Sequence, residues 1–333
     1  MNVESKGGSR NINLIMLAGL FMLLSGCEAK LDLSGVESSK EKPTARYDQY
    51  QAAAKSSAAV IIIGNRGVML TSRDNGVNWS RSILPGSSSV SYPTLVDIEV
   101  CPDNHFVALD ADRKIWISDV NGENWISKAI PTEEEVLDLT CDPRGGIWVV
   151  GSFTLIMGSN DGGDTWVDKS ISEDAMLSRI QFMDADNAVV TGEFGSVYTS
   201  RDGGESWDGG NIITSEFYAM ASHFASHQKG WVGGLQGIIY QTDDGGQSWH
   251  RQKTASNAPI YNFAAVNGRT YAIGEQGTIL LLSGEEWKPV KAKLGFGYLR
   301  AALALGDETL LVAGGGGLIR LLHDQDLKEY IQE

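Results

Sequence analysis

The 333-residue sequence is poor in the residues from which catalytic and metal sites are usually built. It has three Cys and five His, and it contains no P-loop, no G-x-S-x-G motif and no zinc-finger cysteine pattern. It also lacks a basic block, because 27 Lys and Arg stand against 42 Asp and Glu, a formal net charge of −15. Nucleic acid and anionic lipid are bound through clustered cations, so this composition argues against both as partners.

The N-terminal apolar run, residues 12–24, is too short to span a bilayer but has the length of a signal-peptide core, and it follows Lys6 and Arg10. The residues L-S-G-C at 24–27 resemble the lipobox of bacterial lipoproteins, in which cleavage precedes a lipidated cysteine. We therefore expect a signal peptide at 1–26, lipidation of Cys27 and a polar tether over 27–45. The alternative is an ordinary secretory signal with an incidental cysteine. A lipid-anchored product would lie in the cell envelope, facing the periplasm or the surface, and Glu28 favours the outer membrane.

A repeat dominates the rest of the sequence. Residues 189–207 read V-V-T-G-E-F-G-S-V-Y-T-S-R-D-G-G-E-S-W; close copies lie at 61–79, 148–166 and 231–249, and weaker ones at 107–125, 271–287 and 311–326. The first glycine of the G-x-x-G turn recurs with steps of 41, 41, 41 and 40, at Gly151, Gly192, Gly233, Gly274 and Gly314. Asp110 takes this place one step earlier, and Gly64 lies 46 residues before Asp110. Seven units of about four short strands predict an all-β, seven-bladed β-propeller over 46–333.

The repeat also predicts how the ring is built. The first unit takes its first strand from about 47–57, and the last unit has strands at 298–304, 309–314, 317–322 and 327–332. The first and last blades would then pack face to face without exchanging a strand, and the alternative closure borrows a strand from the N-terminus. The glycines of the G-x-x-G turn are expected to adopt positive φ.

In four units the last hairpin matches the Asp-box, S/T-x-D-x-G-x-x-W; the copy at 283–287 is three residues short, and the copy near Asp324 lacks its Trp. The carboxylate of the motif is expected to accept hydrogen bonds from the turn, and its Trp to pack between sheets, so these residues are predicted to be structural. The complete copies contain Asp74 and Trp79, Asp161 and Trp166, Asp202 and Trp207, and Asp244 and Trp249. The copy at 118–125 has Val120 where the Asp belongs.

The remaining Cys and a pair of His carry weaker signals. Cys101 and Cys141 end the first strands of successive units; a disulfide is possible in an oxidising compartment, but two separate buried thiols are the favoured prediction. His223 and His227 fall in the expected first turn of unit five, where a solvated loop is favoured over a metal site. No metal or other cofactor is predicted.

The chain resembles the Ycf48/Hcf136 family, most strongly over 148–249. The resemblance rests on the motifs G-x-x-G-x-I and S/T-x-D-G-G-x-S-W, on the 41-residue step and on the seven units. That family consists of seven-bladed propellers that act as photosystem II assembly factors. The resemblance implies a non-catalytic, monomeric propeller that assists a membrane protein complex. Photosynthetic members carry an arginine patch on one face, whereas Arg66 is here the one cation within the G-x-x-G turns.

The binding face is predicted to be the one formed by these turns. Its candidate residues are Arg66, Phe153, Phe194, Gln236 and Gln276 at the turns and Arg179 and Arg300 on first strands. Apolar rings are unusual at exposed turns, and the alternative is that Phe153 and Phe194 pack over neighbouring blades.

Two other functions remain open at this point. Asp-boxes also occur in sialidases, so a glycan-binding or glycoside-hydrolase propeller is an alternative. A sialidase needs three converging arginines, and no third partner for Arg179 and Arg300 stands out, so no catalytic residue is predicted. The other alternative is an accessory lipoprotein of an export or efflux system.

Overall fold

The computed structural model describes residues 1, 42–84, 92–292, 294–295, 297–306 and 308–323. The chain divides into two units, Met1–Lys42 and Pro43–Glu333. The predicted signal peptide, Cys27, most of the predicted tether and the predicted strand at 327–332 lie outside the described residues. Within the described part, no helix is long and apolar enough to cross a bilayer.

The described residues from Pro43 onward form seven consecutive sheets, one for each repeat, which confirms the predicted all-β, seven-bladed propeller. In most blades the strands pair in sequence order, from an inner strand outwards. The inner strands of successive blades contact one another around the axis. Every residue of the second strand is buried in five of the blades, because neighbouring blades cover both faces of the sheet.

Blades one to three contain β1 Tyr50–Lys55, β2 Val60–Gly64, β3 Val68–Ser72, β4 Ser80–Ile83, β5 Leu95–Val100, β6 Phe106–Asp110, β7 Lys114–Ile117, β8 Ile126–Ala129, β9 Val136–Cys141, β10 Ile147–Gly151, β11 Ile156–Ser159 and β12 Val167–Asp168.

Blades four to seven contain β13 Leu177–Phe182, β14 Ala188–Gly192, β15 Ser196–Ser200, β16 Asp208–Ile212, β17 Ala219–Phe224, β18 Gly230–Gly234, β19 Ile239–Thr242, β20 His250–Arg251, β21 Lys253–Thr254, β22 Ile260–Val266, β23 Arg269–Gly274, β24 Ile279–Ser283, β25 Glu286–Pro289, β26 Leu299–Ala304, β27 Thr309–Gly314 and β28 Ile319–His323. In blade six, β21 adds a fifth strand parallel to β25. Blade seven has three described strands.

Short 3₁₀ turns join the second and third strands of five blades, at Asn65–Gly67, Ser152–Thr154, Glu193–Gly195, Leu235–Gly237 and Glu275–Gly277. The sequence placed the fifth-unit turn one residue early, because Gly233 lies inside β18 and the turn follows Gly234. The expectation of positive φ holds for the second glycine, as at Gly195 (φ 66°) and Gly277 (φ 68°), but not for the first. The first glycine is extended, and a Cβ there would collide with a backbone carbonyl, as Gly192 would with that of Met176.

The Asp-box hairpins close on themselves and pack against the preceding blade. In blade four, Asp202 Oδ1 accepts hydrogen bonds from Ser200 Oγ (2.8 Å) and from the Ser206 N–H (2.9 Å). The Gly204 N–H donates to Ser200 Oγ at 2.8 Å. The Trp207 ring lies 6.4 Å from that of Trp148 in blade three, between centroids. A Cβ on Gly204 would also collide with Trp148, so this glycine is required by close packing as well as by its φ of 88°.

The box that lacks its Asp, at 118–125, is closed by a displaced carboxylate, that of Asp119. Asp119 Oδ1 accepts from the N–H groups of Asn121 (2.9 Å) and Glu123 (3.0 Å). Trp125 and Gly122 again pack on the preceding blade, against a cluster that contains Ile61. A carboxylate at a neighbouring position can therefore close the hairpin when the Asp of the motif is absent.

The ring is closed by packing of blade one on blade seven, with β1 in the sheet of its own blade as far as the described residues extend. The buried carboxylate of Asp48 accepts two hydrogen bonds from Arg81, at 2.6 and 2.9 Å, and one from the Tyr50 hydroxyl at 3.0 Å. The Gly317 N–H of blade seven donates to the Asp48 carbonyl at 2.9 Å. This segment therefore enters the propeller on the side of the G-x-x-G turns.

Cys101 and Cys141 form a disulfide, so the prediction of two separate thiols is wrong. They follow or end the inner strands of blades two and three, and these strands converge near the axis until the two Cα atoms are 5.1 Å apart, within bonding range. The bond joins adjacent blades across a sequence separation of 40.

The disulfide should make a measurable contribution to stability. A closed loop of about 40 residues corresponds to about 4 kcal/mol in the chain-entropy treatment, so Cys101→Ser with Cys141→Ser should lower the free energy of unfolding by up to that amount. Urea unfolding of the double variant measures this loss, and the wild-type protein in reductant should match it. Equal stability of the oxidised and reduced wild-type proteins would contradict the prediction.

The Asp-box carboxylates should make the fold sensitive to acid. Hydrogen bonds from side chains and backbone N–H groups lower the pKa values of Asp161, Asp202 and Asp244 from 3.8 to about 2. Because the folded-state pKa is depressed, this stability is complete above about pH 4 and is lost as the pH falls towards 2. Asp202→Ala should lower Tm at neutral pH by about 2 °C, for roughly 1 kcal/mol of lost hydrogen bonding.

Thermal melts from pH 7 to pH 2 test this, with Asp174→Ala as the control at an exposed carboxylate. The Tm difference between wild type and Asp202→Ala should shrink below about pH 4. A difference that stays constant with pH would show that the carboxylate charge is not what closes the hairpin.

Candidate partner-binding face

The inner strand of every blade carries a β-bulge at the same place, directly after its first residue. A bulge re-aims one side chain, and here it directs seven side chains to the axis on the side of the 3₁₀ turns. The bulged residues are Gln51, Val96, Leu137, Ser178, Met220, Tyr261 and Arg300, and all of them line one cavity of about 350 Å³. This cavity is the mouth of the central channel.

One side of the mouth is apolar and the other is polar. Val96, Leu137 and Met220 line the apolar side, together with the exposed side chains of Met176 and Leu235. A ligand at the mouth would therefore meet apolar surface on one side and hydrogen-bonding groups on the other.

The polar side is organised by Arg300. Its guanidinium lies 4.9 Å from the ring centroid of Tyr261 and 5.9 Å from that of Tyr298, and Nη1 donates to Gln51 Oε1 at 3.3 Å. The Tyr261 hydroxyl donates to Glu275 Oε2 at 2.8 Å. Arg300 is exposed and forms no ion pair among the described residues, so its charge is available to a ligand.

Arg179 lies deeper and is already neutralised. Its Nη1 forms an ion pair with the buried Asp138 Oδ1, and its Nη2 donates to the Tyr261 carbonyl at 3.3 Å. The second oxygen of Asp138 accepts from the Ile180 N–H at 2.9 Å. Burial raises the pKa of Asp138, and the charge of Arg179 opposes that rise. Arg179 thus ties blades three, four and six together, and the cavity is not lined by the three free arginines that a sialidase needs.

The five predicted turn residues occupy one equivalent position, the middle of each 3₁₀ turn. Their φ angles lie between 51° and 58°, the left-handed region that side chains other than glycine rarely adopt, in Arg66, Phe153, Phe194, Gln236 and Gln276. All five side chains are exposed. None of them lines the cavity; the turns contribute Glu193 and Leu235 instead.

Both Phe rings are partly exposed, and that of Phe194 also packs on a residue of the neighbouring blade. Phe153 is 55% exposed and Phe194 43%, although Phe194 lies 5.8 Å from the ring of Tyr218, itself 39% exposed. In blade three, Thr154 also has positive φ (50°) where other turns have glycine. A left-handed backbone conformation is energetically unfavourable for a buried β-branched residue such as Thr154. The surrounding structure must therefore stabilise this turn.

Sequence reasoning located the turn residues and both arginines but missed the bulges, and with them Met176, Met220 and Leu235. It also misplaced His223, which lies in β17 and stacks on Trp231 with ring centroids 6.2 Å apart. His227 lies in the loop beside Asp184. Over the described residues, no group of three or more His, Cys, Asp or Glu is arranged to hold a metal ion.

A family model described as photosynthesis system II assembly factor YCF48 matches residues 117–212, which span parts of blades two to four. A solved structure described as YCF48 bound to D1 peptide superposes with a TM-score of 0.67 and 14% identity, covering 84% of this chain and 92% of that one. The YCF48 from Cyanidioschyzon merolae superposes with a TM-score of 0.58 and 19% identity, covering 71% and 83%. This chain is a propeller that resembles the YCF48 family over residues 117–212.

The same fold also occurs in enzymes. A catalytically inactive virginiamycin B lyase from Staphylococcus aureus, solved with quinupristin, superposes on the Ycf48-like chain with a TM-score of 0.70 and 16% identity, covering 84% of this chain and 96% of that one. At this identity the likeness shows the fold alone. No curated protein matches the sequence significantly.

Replacement of Arg179 and of Arg300 in the Ycf48-like propeller should have very different effects on its free energy of unfolding. Arg179→Ala leaves the buried Asp138 without its cation, which should lower the free energy of unfolding by about 3–5 kcal/mol at pH 8. Because burial raises the folded-state pKa of Asp138 to about 8, this carboxyl binds a proton on folding, and the stability of both the wild-type protein and Arg179→Ala should increase as the pH falls from 8 towards 5. Arg300→Ala should change stability by less than about 1 kcal/mol.

Denaturant unfolding at the two pH values measures both effects, and Arg300→Ala is the matched control. If Arg179→Ala were as mild as Arg300→Ala, the Asp138 pair would not be a structural contact.

Proposed function

We propose that this chain is a non-catalytic, lipid-anchored propeller that binds a segment of a membrane protein at its turn face and assists the assembly or stability of that protein's complex. The observation that carries the proposal is the convergence of seven bulged side chains on one cavity, surrounded by exposed turn residues in left-handed conformations. Strain of this kind persists where the surrounding structure enforces it and is common at ligand-binding sites.

Three further observations support it. One structure of similar fold is described as YCF48 bound to D1 peptide, so a propeller of this kind can take a peptide. The disulfide suits an oxidising compartment such as the periplasm. The segment at Asp48, which follows the proposed tether from Cys27, enters the propeller on the turn face.

The glycan-active alternative has less support. A carboxylate clamp would need Arg179, which is committed to Asp138. The likeness to the virginiamycin B lyase shows a shared fold and places no catalytic residue in this chain.

Affinity capture of the full chain from gently solubilised membranes tests the proposal. The wild-type protein should retain a stoichiometric membrane protein, and Arg66→Glu with Phe194→Ala should lose it. The matched control, Arg320→Glu with Ile126→Ala, changes the same kinds of exposed residue away from the turn face and should retain the partner. In the same preparation, Cys27→Ser should move the protein from the membrane to the soluble fraction.

A clean preparation without a partner would contradict the proposed binding function. A partner retained by the turn-face variant and lost by the control would place the interface elsewhere.

A further inference from the structure

One part of the turn face, over blades three to five, differs from the rest in both shape and charge. We define the acidic-apolar sector as residues 133–135, 152–154, 173–176, 193–195, 214–218 and 235–237. Backbone hydrogen bonds join these segments across the blades: Thr154 N–H donates to the Ala175 carbonyl (2.8 Å), and Gly195 N–H to that of Phe217 (2.7 Å). The sector is therefore one continuous surface.

The apolar part of the sector consists of exposed side chains that a soluble protein would ordinarily bury. Phe153, Met176, Phe194, Tyr218 and Leu235 are all more than a third exposed. Met176, Tyr218 and Leu235 also line the channel mouth, so the apolar surface continues into the cavity. Contiguous exposed apolar surface of this kind is typical of a binding site.

The charge of the sector has a single sign. Its segments hold seven acidic residues and no Lys, Arg or His. Glu135, Asp174 and Glu216 are exposed and have no cationic partner among the described residues. The cations of the turn face lie on other blades, at Arg66 in blade one, Arg113 in blade two and Arg300 in blade seven. Arg113 reaches the edge of the sector, where it pairs with Glu133 at 3.8 Å.

We propose that the acidic-apolar sector binds a protein segment in which aromatic or aliphatic side chains alternate with Lys or Arg. This inference rests on the proposed function and specifies the chemistry of its partner. Apolar side chains would cover the exposed rings, and cations would meet the unpaired carboxylates and the faces of Phe153 and Phe194. An acidic segment would be repelled by the same surface.

Fluorescence anisotropy with labelled synthetic peptides tests this on the full chain in detergent. The probes are K-F-R-L-K-F-R-A, its acidic counterpart E-F-E-L-E-F-E-A, and the neutral S-F-S-L-S-F-S-A. The basic peptide should bind at least about tenfold more tightly than the acidic one, and raising the salt concentration should weaken its binding.

Two double variants separate the contributions. Glu135→Lys with Glu216→Lys should lower the affinity for the basic peptide by about tenfold and remove most of the salt dependence of its binding. Phe153→Ser with Phe194→Ser should lower the affinities for the basic and the neutral peptide alike, by about tenfold. Glu308→Lys with Ile126→Ser, exposed positions outside the sector, is the matched control and should leave binding unchanged. Thermal melts verify that each variant is folded.

The proposal is overturned if the acidic peptide binds as well as the basic one, or if the sector variants bind like wild type. It is also overturned if Cys27→Ser protein, lacking the proposed lipid, binds anionic vesicles through Phe153 and Phe194 but shows no peptide preference. Membrane capture separates this failure from that of the proposed function: a partner retained by Glu135→Lys with Glu216→Lys leaves the binding function standing while the sector chemistry fails.

Discussion

The candidate site depends on one backbone contact, repeated in six blades. The last residue of the second strand is a glycine whose missing Cβ leaves room for a carbonyl at the start of the inner strand, as Gly192 does for Met176 and Gly151 for Glu135. The next N–H, from Glu193 or Ser152, donates to that same carbonyl at 2.8 or 2.9 Å. The contact fixes both the 3₁₀ turn and the bulge that follows in the inner strand. It therefore holds the turn-tip side chain outward and aims the bulged side chain into the channel.

The Asp-box hairpin provides the second constraint, because in blades one to five it fastens the blade to the one before it. Its glycine allows the hairpin to approach the preceding blade closely, against Ile115 at Gly163 and against Leu305 and Leu321 at Gly76. The contact of Gly76 is between blade one and blade seven, so the same device that joins neighbours also closes the ring. Binding residues can then vary on a scaffold whose rigidity does not depend on them.

The sequence predicted the fold well because the constraining residues are themselves the repeat. Glycine, Asp and Trp recur at fixed steps, and they are the residues at the backbone contact and the hairpin. The bulges were missed because no residue type marks them: Gln51, Leu137 and Tyr261 share a register but no chemistry. The disulfide was misjudged because a spacing of 40 along the chain does not give the distance between two inner strands, which the convergence at the axis sets at 5.1 Å.

The charge distribution separates this propeller from the expectation that came with its resemblance. Photosynthetic members of the family that it resembles carry an arginine patch on one face. Here the most exposed apolar part of the turn face is surrounded by carboxylates, and Arg66 and Arg300 lie on other blades. The backbone contact determines the direction of the side chains but not the residue types. The same backbone can therefore present either positive or negative charge at the turn face. On the proposed function, partner choice is decided at the turn tips and the bulges, where the backbone contact leaves the residue type open.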